Sequence, residues 1–175
     1  MDDAAPQRLT LSSIDTPIGP MAFASDPDGR VRGASFGEGL ERTMKRVWPA
    51  AELAAGPPPD PVRSALAAYF AGETEALRRI AWSLGGAAAG DGFQARVWRA
   101  LAEIPAGATI SYGEMAKRAG EPGAAQAAGV ALNRNPIPLV LPCHRVIGAD
   151  GAMVGFGGGL ERKTWLLRHE GALLI

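Results

Sequence analysis

The chain has 175 residues, with 18 Lys+Arg against 18 Asp+Glu and a single cysteine. Zero net charge gives no whole-protein field directed at nucleic acid, and one thiol excludes both an internal disulfide and a multi-cysteine metal site. No stretch approaches membrane-span length, and Met1-Asp2-Asp3 is the reverse of a basic secretory n-region, so a reducing cytoplasm is the expected compartment.

Short apolar runs at Leu9–Ile14, Met21–Ala24 and Val31–Phe36, separated by Thr16-Pro17-Ile18-Gly19-Pro20 and Asp26-Pro27-Asp28-Gly29, predict a three-stranded meander. A helix is expected from Leu40 to Val47. A stiff Pro-rich connector over residues 56–61 leads to Asp60, an expected N-cap, with Pro61 opening a helix through Tyr69-Phe70. The Gly/Ala run at residues 85–90 is the expected boundary between two domains, 1–88 and 89–175. Residues 1–90 carry nine Lys/Arg and eleven Asp/Glu, and residues 91–175 carry nine and seven, which permits a small basic patch on the second half.

Asp91 through Gln94 reads as a capping box, followed by Phe93, Val97, Trp98, Leu101 and Ile104 on one helical face. Ser111-Tyr112-Gly113-Glu114 is a second capping box opening a helix to Arg118. A turn at Gly120-Glu121-Pro122-Gly123 then leads to a third helix over Ala124–Leu132, which is helix-turn-helix spacing. That third helix, with Ala125, Gln126, Ala127 and Gly129, has almost no side-chain bulk. It fits either close approach to a minor groove or tight core packing. Leu139-Val140-Leu141 reads as a short strand ending at Pro142-Cys143, and the glycines from Gly151 to Gly159 as a loop. A last helix begins at Leu160 and ends with Arg168-His169 before a C-capping Gly171.

Cys143 is followed by His144 and Arg145. A lone cysteine is most often a small buried hydrophobe, but a thiol beside basic residues can have its pKa lowered toward the nucleophilic thiolate. Cysteine with a nearby histidine is also the usual nucleophile-and-base pairing.

The Pro142-Cys143-His144-Arg145-Val146-Ile147 segment resembles the active-site motif of the O6-alkylguanine-DNA alkyltransferases. Ser111–Glu114, Asn135-Pro136-Ile137-Pro138 and Arg162–Gly171 match that family in order and spacing, and Thr16–Pro20 resembles the start of its first domain. The resemblance implies an α+β fold: a small ribonuclease H-like α/β domain, then a mostly helical, winged-helix-like domain with the helix-turn-helix. It implies stoichiometric transfer of an alkyl group from O6-alkylguanine, and from O4-alkylthymine, in double-stranded DNA to Cys143. Binding would be through the minor groove with the damaged base flipped out.

In that pattern Glu170 orients His144, which draws the Cys143 proton through water; Tyr112 donates to the leaving base and Asn135 holds the active-site turn. Ser111, Ala125, Gln126, Ala127, Gly129, Arg134 and Arg145 would contact DNA. Tyr112, Met153, Val154, Phe156, Gly157 and Gly158 would line the substrate pocket. No cofactor, metal or obligate protein partner is implied.

Three positions depart from the family pattern: Gln126 where an arginine is usual, Phe156 for tyrosine and Gly157 for serine. They predict weaker base capture with the chemistry intact. The alternative is a non-catalytic lesion-binding relative, against which Cys143, His144 and Glu170 argue together. A cysteine hydrolase is a further reading, disfavoured because its base would normally come from elsewhere in the chain.

Overall fold

The computed structural model describes residues 4–85, 92–151, 156 and 158–173. The chain divides into two compact units, Met1–Ala89 and Gly90–Ile175.

In the first unit β1 (Arg8–Ile14), β2 (Met21–Ser25) and β3 (Val31–Phe36) form the expected antiparallel meander. Helix α1 (Leu40–Val47) follows, and β4 (Glu52–Ala55) then pairs parallel with β1, giving the sheet order β3-β2-β1-β4. The sequence reading missed β4 because Glu-Leu-Ala-Ala carries little strand propensity; backbone pairing to β1 makes the strand. Leu9, Ala24, Leu40, Met44 and Trp48 form a core cluster between sheet and helix.

The β2–β3 register slips at Ala24/Ser25, where Gly33 faces Ala24 and Val31 faces Ser25, so Arg32 is the extra residue of a β-bulge. Helix α2 runs Asp60–Phe70, with Pro59 as its N-cap and no side-chain cap. Asp60 is therefore the first helical residue, not the expected N-cap. Its carboxylate still sits in the first turn, where the helix dipole favours negative charge.

The second unit begins with α3 (Phe93–Leu101), whose N-cap is Gly92 without a side-chain cap; Asp91, the expected cap, lies outside the described residues. Val97, Trp98, Leu101 and Ile104 are buried as their spacing requires. Helix α4 (Tyr112–Arg118) opens on Ser111, whose Oγ accepts from the Glu114 N–H at 3.1 Å, the forward arm of the expected capping box. Helix α5 (Ala125–Asn133) completes the helix-turn-helix, and the Trp98 indole N–H ties it to α3 by donating to Ala131 O at 2.7 Å.

Helix α6 (Leu160–His169) ends as expected: Gly171 takes a left-handed φ of 79°, with Gly171 N–H donating to Arg168 O and Ala172 N–H to Leu167 O. This is the Schellman arrangement, and it holds Glu170 at the helix exit. A short parallel pair, β5 (Ile110–Ser111) with β6 (Val146–Ile147), was not foreseen. It joins the start of α4 to the residues just after Cys143.

Candidate active site

The expected strand over Leu139–Leu141 does not form. Leu139 has a φ of 73°, Pro138 and Leu141 make only an isolated bridge, and Cys143–Arg145 is a single 3₁₀ turn. Asn135 explains the departure. Its Nδ2 donates to Leu141 O at 2.8 Å and its Oδ1 accepts from Ile137 N–H at 3.0 Å, so one amide spans the loop and folds it back on itself. A branched aliphatic residue in the left-handed region costs roughly 1–2 kcal/mol, and the fully buried Leu139 side chain offsets that strain by packing.

Cys143 follows that loop, 7% exposed, and no described residue forms a disulfide with it. Burial pushes its thiol up to about 11, although the Asn135 amide and the Lys163 charge pull the other way. This reverses the expectation that basic neighbours lower the thiol pKa. The two neighbours are occupied elsewhere, and desolvation of the thiolate dominates.

His144 is fully buried, and its Nε2 lies 2.9 Å from Glu170 Oε2. Burial pushes the imidazole pKa down, partly countered by Glu170 and reinforced by the Arg145 and Lys163 charges. For Glu170, burial alone would raise the pKa; hydrogen bonds and charge from His144 and Arg145 outweigh it and hold the carboxyl near 2. An ionised carboxylate accepts, so Nε2 carries the proton and Nδ1 keeps its lone pair. Nδ1 is buried and has no hydrogen-bond partner among the described residues. It is thus a base site without a partner among the described residues, on the residue next to the thiol.

Arg145, expected at a DNA surface, is instead 5% exposed. Its Nε and Nη2 donate to the two Glu170 oxygens at 2.9 Å each, and Nη1 donates to Ile104 O at 2.6 Å. It braces Glu170 against the exit of α3. From that position its guanidinium does not face outward to meet a phosphate.

Lys163 was not singled out from the sequence. It is fully buried, its Nζ donates to Val146 O at 2.7 Å, and burial lowers its pKa to about 8, with the Cys143 charge acting in the opposite direction. A periodicity signal was present: Lys163, Leu166, Leu167 and Glu170 fall on one face of α6, all buried, so two ionisable residues occupy the inward stripe.

Tyr112 is half-buried at the start of α4. Burial, and then the nearby Cys143 charge, raise its phenol pKa, so it stays a neutral O–H donor. The β5–β6 pairing places it there. On the other side its ring approaches within 3.8 Å of the point where a Cβ on Gly129 would stand.

The Phe156 ring meets His144 edge-on at 6.3 Å, and Gly158 is buried with its carbonyl accepting from Arg162 Nη1 at 2.9 Å. Met153, Val154 and Gly157 lie outside the described residues. On α5, Gln126 and Ala127 are exposed and Ala125 and Gly129 partly so; Arg134, the C-cap, is exposed, while Ser111 is partly covered and engaged as a cap. No group of three or more His, Cys, Asp or Glu able to hold a metal ion occurs among the described residues.

Residues 92–172 match the family model described as 6-O-methylguanine DNA methyltransferase, DNA binding domain. The methylated-DNA–protein-cysteine methyltransferase of Shigella flexneri is 39% identical over 173 residues, covering 96% of this chain and 99% of that protein. Among solved structures, Mycobacterium tuberculosis OGT in complex with DNA is 38% identical with a TM-score of 0.77, covering 93% of this chain and 92% of that one. The O6-methylguanine-DNA methyltransferase of Pyrococcus kodakaraensis is 26% identical, with a TM-score of 0.66 over 93% of this chain and 99% of that one. With nearly the full length of its relatives covered at this identity, the chain belongs to the methylated-DNA–protein-cysteine methyltransferase family.

Proposed function

We propose that the protein repairs DNA by moving the alkyl group of O6-alkylguanine, and of O4-alkylthymine, onto Cys143, once per molecule. The observation that carries this is the buried Cys143 followed directly by a neutral His144, which is itself fixed by the Glu170–Arg145 pair.

A thiol near pKa 11 is almost entirely protonated at neutral pH, so the resting protein is protected from oxidation and adventitious alkylation. Attack requires its proton to leave as the bond forms. His144 Nδ1 takes that proton through a bridging water, and Glu170 stabilises the imidazolium that results. The sulfur then displaces guanine O6 at the alkyl carbon: a C–S bond forms, the C–O6 bond breaks, and the electron pair departs into the purine. Tyr112 donates a proton to the base edge so that the leaving guanine is neutral, and its raised pKa keeps that proton available. Lys163, held by Val146 O, lends positive charge to the developing thiolate. The thioether has no hydrolytic exit, which makes the reaction stoichiometric.

O6 is stacked within the duplex, so the base must rotate out to reach the sulfur. The nearly bare α5 suits approach to the minor groove. Residues 1–88 are read as a ribonuclease H-like domain and 89–175 as the winged-helix-like domain that binds DNA and accepts the alkyl group. The protein is read as a cytoplasmic monomer. No described helix is long and apolar enough to cross a membrane.

Intact mass after incubation with an O6-methylguanine duplex tests the assignment. One added methyl group on Cys143, absent in Cys143→Ala, is expected. Retained duplex binding with no mass change would instead assign a lesion-binding role, and turnover beyond one equivalent would assign a hydrolase.

A further inference from the structure

Helix α5 contains no charged residue. Its outward face is made by Gln126, Ala127, Val130 and Asn133, continued by Arg134 at the C-cap. At 100° per residue these five positions fall within about 120° of arc, so they form one stripe. Two members are unusual for an exposed helix of small residues. Val130 is 44% exposed, one of the exposed large hydrophobics of the described chain. Arg134 is exposed, and its guanidinium has no hydrogen bond or ion pair among the described residues. Three other arginines of the second unit are engaged: Arg118 with Glu114 at 3.1 Å, Arg96 with Glu121 at 3.4 Å, and Arg145 with Glu170.

Arg134 is also joined by a single peptide to Asn135, whose side-chain amide closes the loop leading to Cys143. Whatever Arg134 grips is thereby tied to the turn that presents the sulfur. Gln126 and Arg134 lie about 12 Å apart along the helix axis, between three and four base steps at the ~3.4 Å rise of one strand.

We propose that Arg134 is the electrostatic anchor of α5 on DNA: it holds a backbone phosphate and so sets the register of the lesion strand against the Cys143 loop, while Val130 packs on the deoxyribose between Arg134 and Gln126. The polyanionic partner matches a helix face whose lone cation sits at one end, and the proposal rests on the DNA-repair reading above. In this chain the charge that fixes the duplex therefore comes from the C-terminal end of the recognition helix, and Gln126 at the other end is left to a neutral contact with the orphaned base.

The test measures duplex binding against salt in the alkylation-inert Cys143→Ala background, together with single-turnover methyl transfer by the otherwise intact protein. Arg134→Gln should reduce the slope of log K against log salt by about 1. It should also raise the protein concentration giving half-maximal transfer several-fold, with the limiting rate at saturation within about 2-fold of the parent. Val130→Ala, which favours the helix intrinsically, should weaken binding and leave the slope unchanged. Arg78→Gln, on an exposed pair with Glu75 in the first unit, serves as the control with no effect on either readout.

If the parent binds and repairs the duplex while Arg134→Gln leaves slope and half-saturation unchanged, the anchor is wrong and the repair function stands. A fall in limiting rate alone would make Arg134 a structural residue and likewise overturn the proposal. Unchanged binding in Val130→Ala would remove the apolar contact. If the parent neither binds duplex nor takes up a methyl group, the repair reading itself fails.

Discussion

Glu170 has both carboxylate oxygens engaged inside the protein, one by Arg145 Nε and the other shared between Arg145 Nη2 and His144. Its carboxyl pKa is held near 2 against an ordinary 4.5, so the folded state binds this proton less readily than the unfolded chain does. The stabilisation is therefore complete above about pH 4.5 and is lost as pH falls from there toward 2. It amounts to about 3 kcal/mol. Urea unfolding followed across that interval should show the parent losing stability, whereas Glu170→Gln should be less stable at pH 7 and lose less over the same range, where Asp26 still titrates. Equal pH slopes for the two proteins would contradict the assignment. The same substitution removes the group that stabilises a protonated His144, so methyl transfer should slow as well.

At the scale of elements, β3 and α1 approach closely at Gly33. A Cβ there would lie 2.6 Å from Met44 Cε and 2.8 Å from Met44 Sδ, so an added methyl must displace the end of the Met44 side chain. Gly33→Ala should cost about 1–3 kcal/mol from overpacking. Because the obstructing atoms are the end of a flexible side chain, Met44→Ala should recover part of that cost. Thermal unfolding of both single variants and the double variant would show this as a non-additive cycle, and simple additivity would refute it.

Elements with strong local chemistry were legible in the sequence: the meander, α1 within its stated bounds, the Ser111 cap and the Gly171 exit. The short pairings were not. β4 and the β5–β6 pair exist because distant backbones meet, and two- and four-residue strands leave no period to read. The same limit applied to the site. Cys143 and His144 could be picked out by residue type and adjacency, and Glu170 only through the family resemblance. The inward turn of Arg145 and the burial of Lys163 depend on which helix face meets the 3₁₀ turn, and the direction of the thiol shift depends on that burial.

At the scale of the whole molecule, Arg32 holds together parts of the first unit that are far apart in sequence. From its β-bulge, Nε donates to Asp26 Oδ2 at 2.8 Å, while Nη1 reaches Ala4 O at 3.2 Å and Gly85 O at 3.3 Å. One guanidinium thus fastens the incoming chain and the outgoing chain of that unit to the same hairpin. Removing one partner of a buried ion pair leaves the other charge uncompensated, typically at about 3–5 kcal/mol. Arg32→Met should fall near the lower figure because Arg30 still meets Asp26 at 3.1 Å. A urea midpoint equal to the parent's would contradict this.

The solitary Cys143 has a practical consequence for any population of this protein. Every unreacted chain releases one titratable thiol when denatured, and every chain that has repaired a lesion releases none. The ratio of thiol to polypeptide therefore records how much of a sample is spent, whatever DNA it met and however long ago.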